Sequence, residues 1–587
     1  MPNRANRANR ANRAPALAVV LLALTAAAVP LLARLADAPA PKPADLVLRN
    51  GRVVTVDAAR PEAQAVAIVG DRIAALGSNE EISRQIGPQT QVVDLAGRLA
   101  IPGFIDSHGH FMGLGQSKMI LDLTKARSWE DIVAQVQAAA AKAAPGDWIT
   151  GRGWHQERWT HTPEPNVDGV PLHTELSRVS PANPVLLGHA SGHAAFANAK
   201  AMELAGITKD TPDPSGGEIV HDAQGNPTGL LRETAQRLVS AAMQKAQAGR
   251  DPKIVEAEMR RQVELAGNDA LSKGVTSFDD AGSNFATIDF FKRLADEGKL
   301  PVRLYVMVRF ETNDTMAAKL AQYRLLGYGN HFLTVRSIKR QIDGALGSHG
   351  AWLLEPYLDL PTSKGLTLES PEDIRRTAEI AIQNGFQLNI HAIGDRANRE
   401  VLNIYEEAFR AHPDKKDLRW RIEHAQHLHP DDVPRFAKLG VIASMQGVHA
   451  TSDGPWVLKR LGPERAKSGA YLWRTLMNTG VVIANGTDTP VEDVDPIACF
   501  YSSVTRREAD GTEFYPEQKM TREEALRSYT LNGAYAAFEE NEKGSLTPGK
   551  LADVVVLSKD ILKVPDSEIK TTKVDLTIIG GKVRWRR

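Results

Sequence analysis

At 587 residues, with 42% hydrophobic and 24% charged side chains, the chain has the composition of a soluble globular protein large enough for more than one domain. Its 71 basic and 71 acidic residues cancel, so no global field draws it to nucleic acid, and no nucleic-acid partner is expected. The single cysteine, Cys499, excludes an intrachain disulfide framework and a cysteine-rich zinc module, so a metal must be held by His, carboxylate or a modified side chain.

In chain order, residues 1–43 read as a targeting segment and linker. Arg4, Arg7, Arg10 and Arg13 precede an uncharged stretch from Ala14 to Ala33, followed by a Pro- and Ala-rich run. The expectation is export to the periplasm, or an uncleaved membrane anchor with the protein facing outward. Ala36 and Ala38 suit a cleavage site, Pro39 just after them does not, and the apolar run is about long enough to span a bilayer. A misassigned start codon is the third reading.

Residues 45–97 carry short apolar runs (ADLVLRNGRVVTV, AQAVAIVGDRIAALG, TQVVDLAG) that predict strands, with reversals at Asn50-Gly51 and Gly70-Asp71. The same texture returns in residues 541–587 as KLADVVVLSKD and VDLTIIGGKVRW. One small β-sandwich assembled from both chain ends is predicted, with two unrelated β appendages as the alternative.

Between these ends, in residues 98–540, strand-like and helix-like segments alternate. The predicted strands are Ile101–Ile105, Val275–Asp279, Val302–Arg309, Leu333–Lys339, Phe386–His391, Leu418–His424, Val441–Gln446 and Val481–Gly486. Helix-period stretches such as IVEAEMRRQVELAGNDALSK, PEDIRRTAEIAIQNG and REVLNIYEEAFRAH separate the later ones. Strand and helix units in this number predict an α/β fold, a closed (β/α)8 TIM-type barrel with active-site groups at the strands' C-terminal ends. The interval from about 112 to 250 breaks the rhythm and predicts an inserted subdomain after the first strand.

The polar residues fall at the strand ends. In IPGFIDSHGHF, His108 and His110 project to one side of an extended strand, where they can share a metal ion. Lys339, His391 and His424 end the fourth, fifth and sixth strands, and Asp488 lies just beyond the eighth. Each alone is ordinary; all of them in this order are what a two-metal hydrolytic site requires.

The strings GFIDSHGHF, GRGWHQERW, SGHAAFANAKAM, IKRQIDGALGSHGAWL, NIHAIGDRAN, RIEHAQ and NGTDTPVEDVDP resemble, in order, the amidohydrolase superfamily, and within it the amidohydrolase-3 branch of YtcJ-like proteins and N-substituted formamide deformylases. The resemblance runs from about residue 45 to the end and implies a barrel carrying a β-sandwich from both termini. It also implies one or two divalent metal ions. His108 and His110 are expected to bind the more buried metal, His391 and His424 the more exposed one, and Lys339 bridges both as a carbamate if the site is binuclear. An unmodified Lys339 implies a single-metal site. Zinc fits His-rich ligation with an open position, with manganese, iron or nickel as alternatives.

Asp488 is expected both to ligate metal and to move the proton from a metal-activated hydroxide to the leaving nitrogen, in hydrolysis of a carbon–nitrogen bond of a small amide-type molecule. A lactonase or esterase on the same barrel, and a noncatalytic exported binding protein, are the alternatives. For substrate contact the expected residues are His193, Trp154 and His349, with Trp159, His155 and Trp456 as further pocket walls; the tryptophans fit equally as core of the insert. Ser191, His155 and His349 stand where relatives often carry charged or amide side chains, which implies a less charged or bulkier ligand. Oligomeric state is left open.

Overall fold

A computed structural model describes residues 42–587; the leader from 1 to 41, and with it the export or anchor reading, lies outside the described residues. Among the described residues no helix is long and apolar enough to cross a membrane.

Eight parallel strands form the central sheet: β1 (Phe104–Gly109), β2 (Val275–Ser283), β3 (Arg303–Val308), β4 (Leu333–Gln341), β5 (Gln387–Ala392), β6 (Arg421–His424), β7 (Ile442–Gln446) and β8 (Ile483–Gly486). Each pairs with the next in sequence, and the short strand Leu325–Gly327 adds antiparallel to β4. The segment after β8 closes the ring onto β1, since the Asp488 amide donates to the His108 carbonyl (2.7 Å) and the His110 amide to the Thr489 carbonyl (2.7 Å). Buried Asp106 reinforces the seam by accepting from the Thr487 amide (2.9 Å) and hydroxyl (2.5 Å). Strands buried on both faces, as in a barrel, are expected to be near-continuous in apolar character, and β3 (RLYVMV) is buried throughout.

The helices start and stop where the chain says they should. Ser370 caps Pro371–Asn384 by accepting from the Asp373 amide, Pro371 occupies the first turn, and Gly385 ends it at φ 67°. Asp251 and Pro252 do the same for Pro252–Ser272.

Two expectations are corrected. The predicted strand Ile101–Ile105 is two strands: Leu99–Pro102 belongs to the sandwich, and only from Phe104 does the chain enter the barrel, so the boundary expected at residue 98 falls after Pro102. Asn50-Gly51 is not a hairpin reversal. Asn50 takes φ 60°, and the chain passes from one sandwich sheet (Leu46–Arg49) to the other (Arg52–Val54). Gly70 does turn a hairpin, between Ala65–Val69 and Arg72–Gly77.

The four-stranded sandwich sheet is built entirely from the N-terminal side, whereas the six-stranded sheet orders Lys582–Arg586, Val574–Ile579, Val554–Leu557, Leu99–Pro102, Arg52–Val54 and Glu62–Ala63. It thus interleaves both chain ends. A buried ion pair, Arg303 with Asp553 (2.7 Å), ties it to the barrel. The insert forms its own six-stranded sheet between Leu121 and Glu233, with a separate apolar core around Trp129, Trp154 and Phe196.

Candidate metal centre

The C-terminal ends of β1, β4, β5, β6 and the loop after β8 converge on one point. His108 is fully buried at the end of β1, and His110 sits one residue past it, half-exposed, at the start of the helix Phe111–Ser117. The Asp488 carboxylate lies 3.6 Å from His108 Nε2 and 3.2 Å from His110 Nε2. Lys339 Nζ is 3.3 Å from His108 Nε2. The His424 ring is 4.6 Å from that of His108 and 4.5 Å from that of His391. One donor atom from each of His108, His424 and Asp488 lies within 4.8 Å of the others. His424 and Asp488 hold φ of 77° and 56°, left-handed conformations that non-glycine residues rarely adopt and that cluster at functional sites.

Two of the rings, those of His108 and His424, are aimed by partners that the sequence did not single out. The buried Glu423 carboxylate accepts from His108 Nδ1, which leaves Nε2 facing the centre. Gln446 Oε1 accepts from His424 Nδ1 (2.7 Å), with the same result. Asp343, held by the amides of Ile393 (3.0 Å), Gly394 (2.8 Å) and Trp352 (2.9 Å), comes within 3.5 Å of His391 Nε2. Glu423 adjoins His424 in RIEH, and Asp343 lies two residues beyond the end of β4, so strand-end position was the available signal. His449, which opens the helix after β7, stacks on His424 with centroids 6.2 Å apart.

The electrostatics suit cation binding. Burial, then the neighbouring Lys339, holds His108 down to about 4 against the pull of Glu423, and burial keeps His391 and His424 well below their usual value. All three are therefore neutral donors near pH 7, as metal ligation requires. Burial alone would raise Glu423, but His108, Lys339 and Arg421 outweigh it and hold the carboxyl at about 2. Asp488 follows the same logic: burial opposes its charge, and the rings of His110, His108 and His424 prevail and keep it well below the carboxylate range. Burial lowers Lys339 to about 7, which makes a neutral amine accessible.

Several of these atoms have no hydrogen-bond partner: Asp488 Oδ1, His391 Nε2 and His449 Nε2 are buried and unpaired. Leaving a buried carboxylate oxygen unsatisfied costs on the order of 1–3 kcal/mol or more. Neutral imidazoles and carboxylate oxygens aimed at one point are the donor set of a divalent ion, and the residues fit one.

The cavity in front of this centre has two faces. The inner face takes in His108, His110 and Lys339 together with Arg152 and Arg309. Both guanidiniums are held by neutral oxygens, Arg152 by the Pro490 and Ala190 carbonyls and Arg309 by the Ala281 carbonyl and the Gln341 side chain. The outer face runs from His391, His424 and Asp488 past His193 to His155, Arg158 and Trp456. His193 is fixed by Glu233, whose carboxylate accepts from Nδ1 (2.8 Å). Burial lowers the His193 pKa, but Glu233, Asp343 and Asp488 outweigh it and raise it. Gly344 and Gly350 make room for Glu233, because a Cβ at either would stand 2.0 or 2.1 Å from its Oε1.

Trp154 and His349 are placed elsewhere, which corrects their expected role. Trp154 is packed into the core of the insert with Nε1 donating to the Leu187 carbonyl (2.9 Å), and His349 pairs with Asp359 (3.3 Å). Both line a side cavity beyond Gly347 and not the space in front of the histidines. His155 and Trp456 do wall the central cavity, their rings 4.6 Å apart.

Residues 91–584 match the profile described as Amidohydrolase family. Protein LONG AFTER FAR-RED 3 of Arabidopsis thaliana is 34% identical over 92% of this chain and 91% of its own length. N-substituted formamide deformylase of Arthrobacter pascens is 30% identical over 92% of this chain and 98% of its own. Among solved structures, an uncharacterized metal-dependent hydrolase from Pyrococcus horikoshii OT3 superposes with a TM-score of 0.70 at 27% identity, over 89% of this chain and 99% of that one.

Proposed function

This chain belongs to the amidohydrolase family and has the fold of metal-dependent hydrolases, and from that premise we propose that it hydrolyses a carbon–nitrogen bond of a small amide-type molecule. The observation that carries the reading is the Asp488 carboxylate, buried and held ionised, its Oδ1 3.2 Å from His110 Nε2 and 3.6 Å from His108 Nε2 at the barrel mouth, in reach of a donor atom of His424. A binding protein needs no such proton acceptor. The similarity to N-substituted formamide deformylase supports the amide over the ester.

In this reading His108, His110, His391, His424 and Asp488 would hold one or two divalent ions, zinc by preference, with Lys339 joining them as a carbamate ligand if the site takes two. A bound divalent ion supplies Lewis-acid polarisation of the acyl oxygen and a water acidic enough to ionise near neutral pH. The protein's own groups do the rest. Asp488 takes the proton of the attacking water at Oδ1 and delivers it to the leaving nitrogen, so that an amine and not an amide anion departs. His193, kept in one orientation by Glu233, presents Nε2–H toward the cavity as a donor to the acyl oxygen. His155 and Trp456 cover the site and limit water there.

The test is mass-spectrometric detection of products when metal-loaded protein meets N-substituted formamides, N-acyl amino acids, cyclic amides and lactones, with chelator controls. Amide cleavage that stops with chelator is the expected result; cleavage of lactones alone moves the assignment to esterase chemistry, and a silent panel overturns it. Export, the remaining part of the proposal, is tested by fractionation and N-terminal sequencing; a cytosolic protein overturns it.

A further inference from the structure

The outer face of the cavity contains a charge that the chemistry above does not use. The 3-10 turn Gln156–Arg158 projects from the insert, capped by His155 Nδ1 accepting from the Glu157 amide (3.2 Å). Within it Glu157 is engaged by Lys459 (3.1 Å) and Arg460 (3.3 Å) from the helix after β7. Arg158, the next residue, lines the cavity, and among the described residues its guanidinium has no ion pair and no hydrogen bond. The neighbouring carboxylate makes no hydrogen bond or close ion pair with it. Asp453 accepts from the Tyr471 hydroxyl (2.5 Å); burial pushes its carboxyl up to about 6, against the opposing pull of His449 and, more weakly, of Arg158, which it faces without direct contact. Glu492, also on the wall, forms no ion pair with Arg158 within 4.0 Å. On the same cavity His155 and Trp456 form a tilted pair, and Ala345, Leu346 and Ile393 add apolar lining.

We propose that this wall selects an amide whose non-reacting arm is apolar and ends in a carboxylate, with Arg158 as the residue that recognises it. A planar guanidinium binds a carboxylate by two parallel hydrogen bonds, and an aromatic pair on the same cavity accommodates a ring or branched aliphatic group. The inference rests on the hydrolytic reading above and adds the substrate class. It also reverses the expectation of a less charged ligand drawn from Ser191, His155 and His349. Ser191 is bonded to His189 (2.8 Å) and His349 to Asp359, whereas Arg158 supplies a guanidinium with no direct hydrogen-bond or ion-pair partner.

The experiment compares 4-(formamidomethyl)benzoate with N-benzylformamide, and the corresponding acetamides, on metal-loaded wild-type protein, Arg158→Gln and Arg158→Lys. Loss of a charged hydrogen-bonded contact predicts that Arg158→Gln raises KM for the carboxylate substrate about tenfold or more, with kcat within about threefold and the neutral substrate unaffected. Arg158→Lys restores part of the loss. Calorimetric binding of 4-methylbenzoate to the same three proteins decides the matter without turnover. If no amide is cleaved, the hydrolytic reading falls while binding still reports on Arg158; equal affinity in wild type and Arg158→Gln overturns the inference, as does a wild-type preference for the neutral amide.

Discussion

The barrel mouth and the insert wall face the same cavity but are built differently. On the barrel side two of the histidines sit at strand ends and are fixed from behind by buried partners, Glu423 for His108 and Gln446 for His424, and Asp343, itself held by three backbone amides, stands beside His391. On the insert side His155 and Arg158 ride on a short turn, and Ser191 and His193 on the link between the strands Val185–His189 and Ala194–Ala197. The histidines held at strand ends are tied into the sheet, whereas the groups of the insert side ride on loops, which tolerate variation.

The sharpest way to break this division is Asp488→Asn. The amide keeps the shape but cannot carry the proton, so kcat is expected to fall by roughly a thousandfold or more while metal content by mass spectrometry stays near wild type. A variant retaining a tenth of the activity would remove Asp488 from the reaction. Trp154→Ala should do the opposite on the insert side. Emptying its fully packed site is expected to cost about 3–5 kcal/mol of folding stability in a urea titration, with kcat of the folded protein nearly unchanged.

Smaller effects probe how the barrel side is tuned. Glu423→Gln should weaken metal affinity about ten- to a hundredfold in a competitive chelator titration, because the His108 ring loses the carboxylate that orients and enriches it. Lys339 gives a pH test with a definite sign. Its pKa is depressed from 10.5 to about 7, so the amine is mostly protonated at pH 6 and mostly free at pH 8. Only the free amine adds carbon dioxide, so at equal dissolved carbon dioxide binuclear reconstitution should be about tenfold faster at pH 8 than at pH 6, and pH-independent loading under that condition would argue for an unmodified lysine.

How much of this was legible in the sequence follows the same division. His108, His110, Lys339, His391, His424 and Asp488 could be read because alternation along a strand and termination of apolar runs are local patterns. Asp343 and Glu423 lay inside the quoted strings, but their work is to touch residues 48 and 315 positions away, which no local pattern shows. The single strand predicted at Ile101–Ile105 failed for a similar reason: an apolar run does not reveal that Gly103 divides it between two sheets. In the insert, tryptophan and histidine content gave no direction. Trp154 and His155 are adjacent in sequence, yet one belongs to the core and the other to the cavity.

His349 offers the finest test of where the insert side ends. It lies in the side cavity with its ring committed to Asp359, and burial, then Arg460, holds it down to about 4 and neutral. Gly347 borders both this side cavity and the central one and packs beside His155 and Trp456, since a Cβ there would meet Trp456 Nε1 at 3.4 Å and His155 Nε2 at 3.8 Å. His349→Ala is therefore expected to change kcat/KM by less than about threefold, in the range of substitutions that touch neither substrate nor its ligands. Should KM move tenfold, the side cavity is part of the substrate path and the wall at Gly347 opens in turnover. The double variant with Trp456→Ala then separates the two cases: additive effects place His349 on its own contact, and a loss of the His349 effect places both residues on one gate.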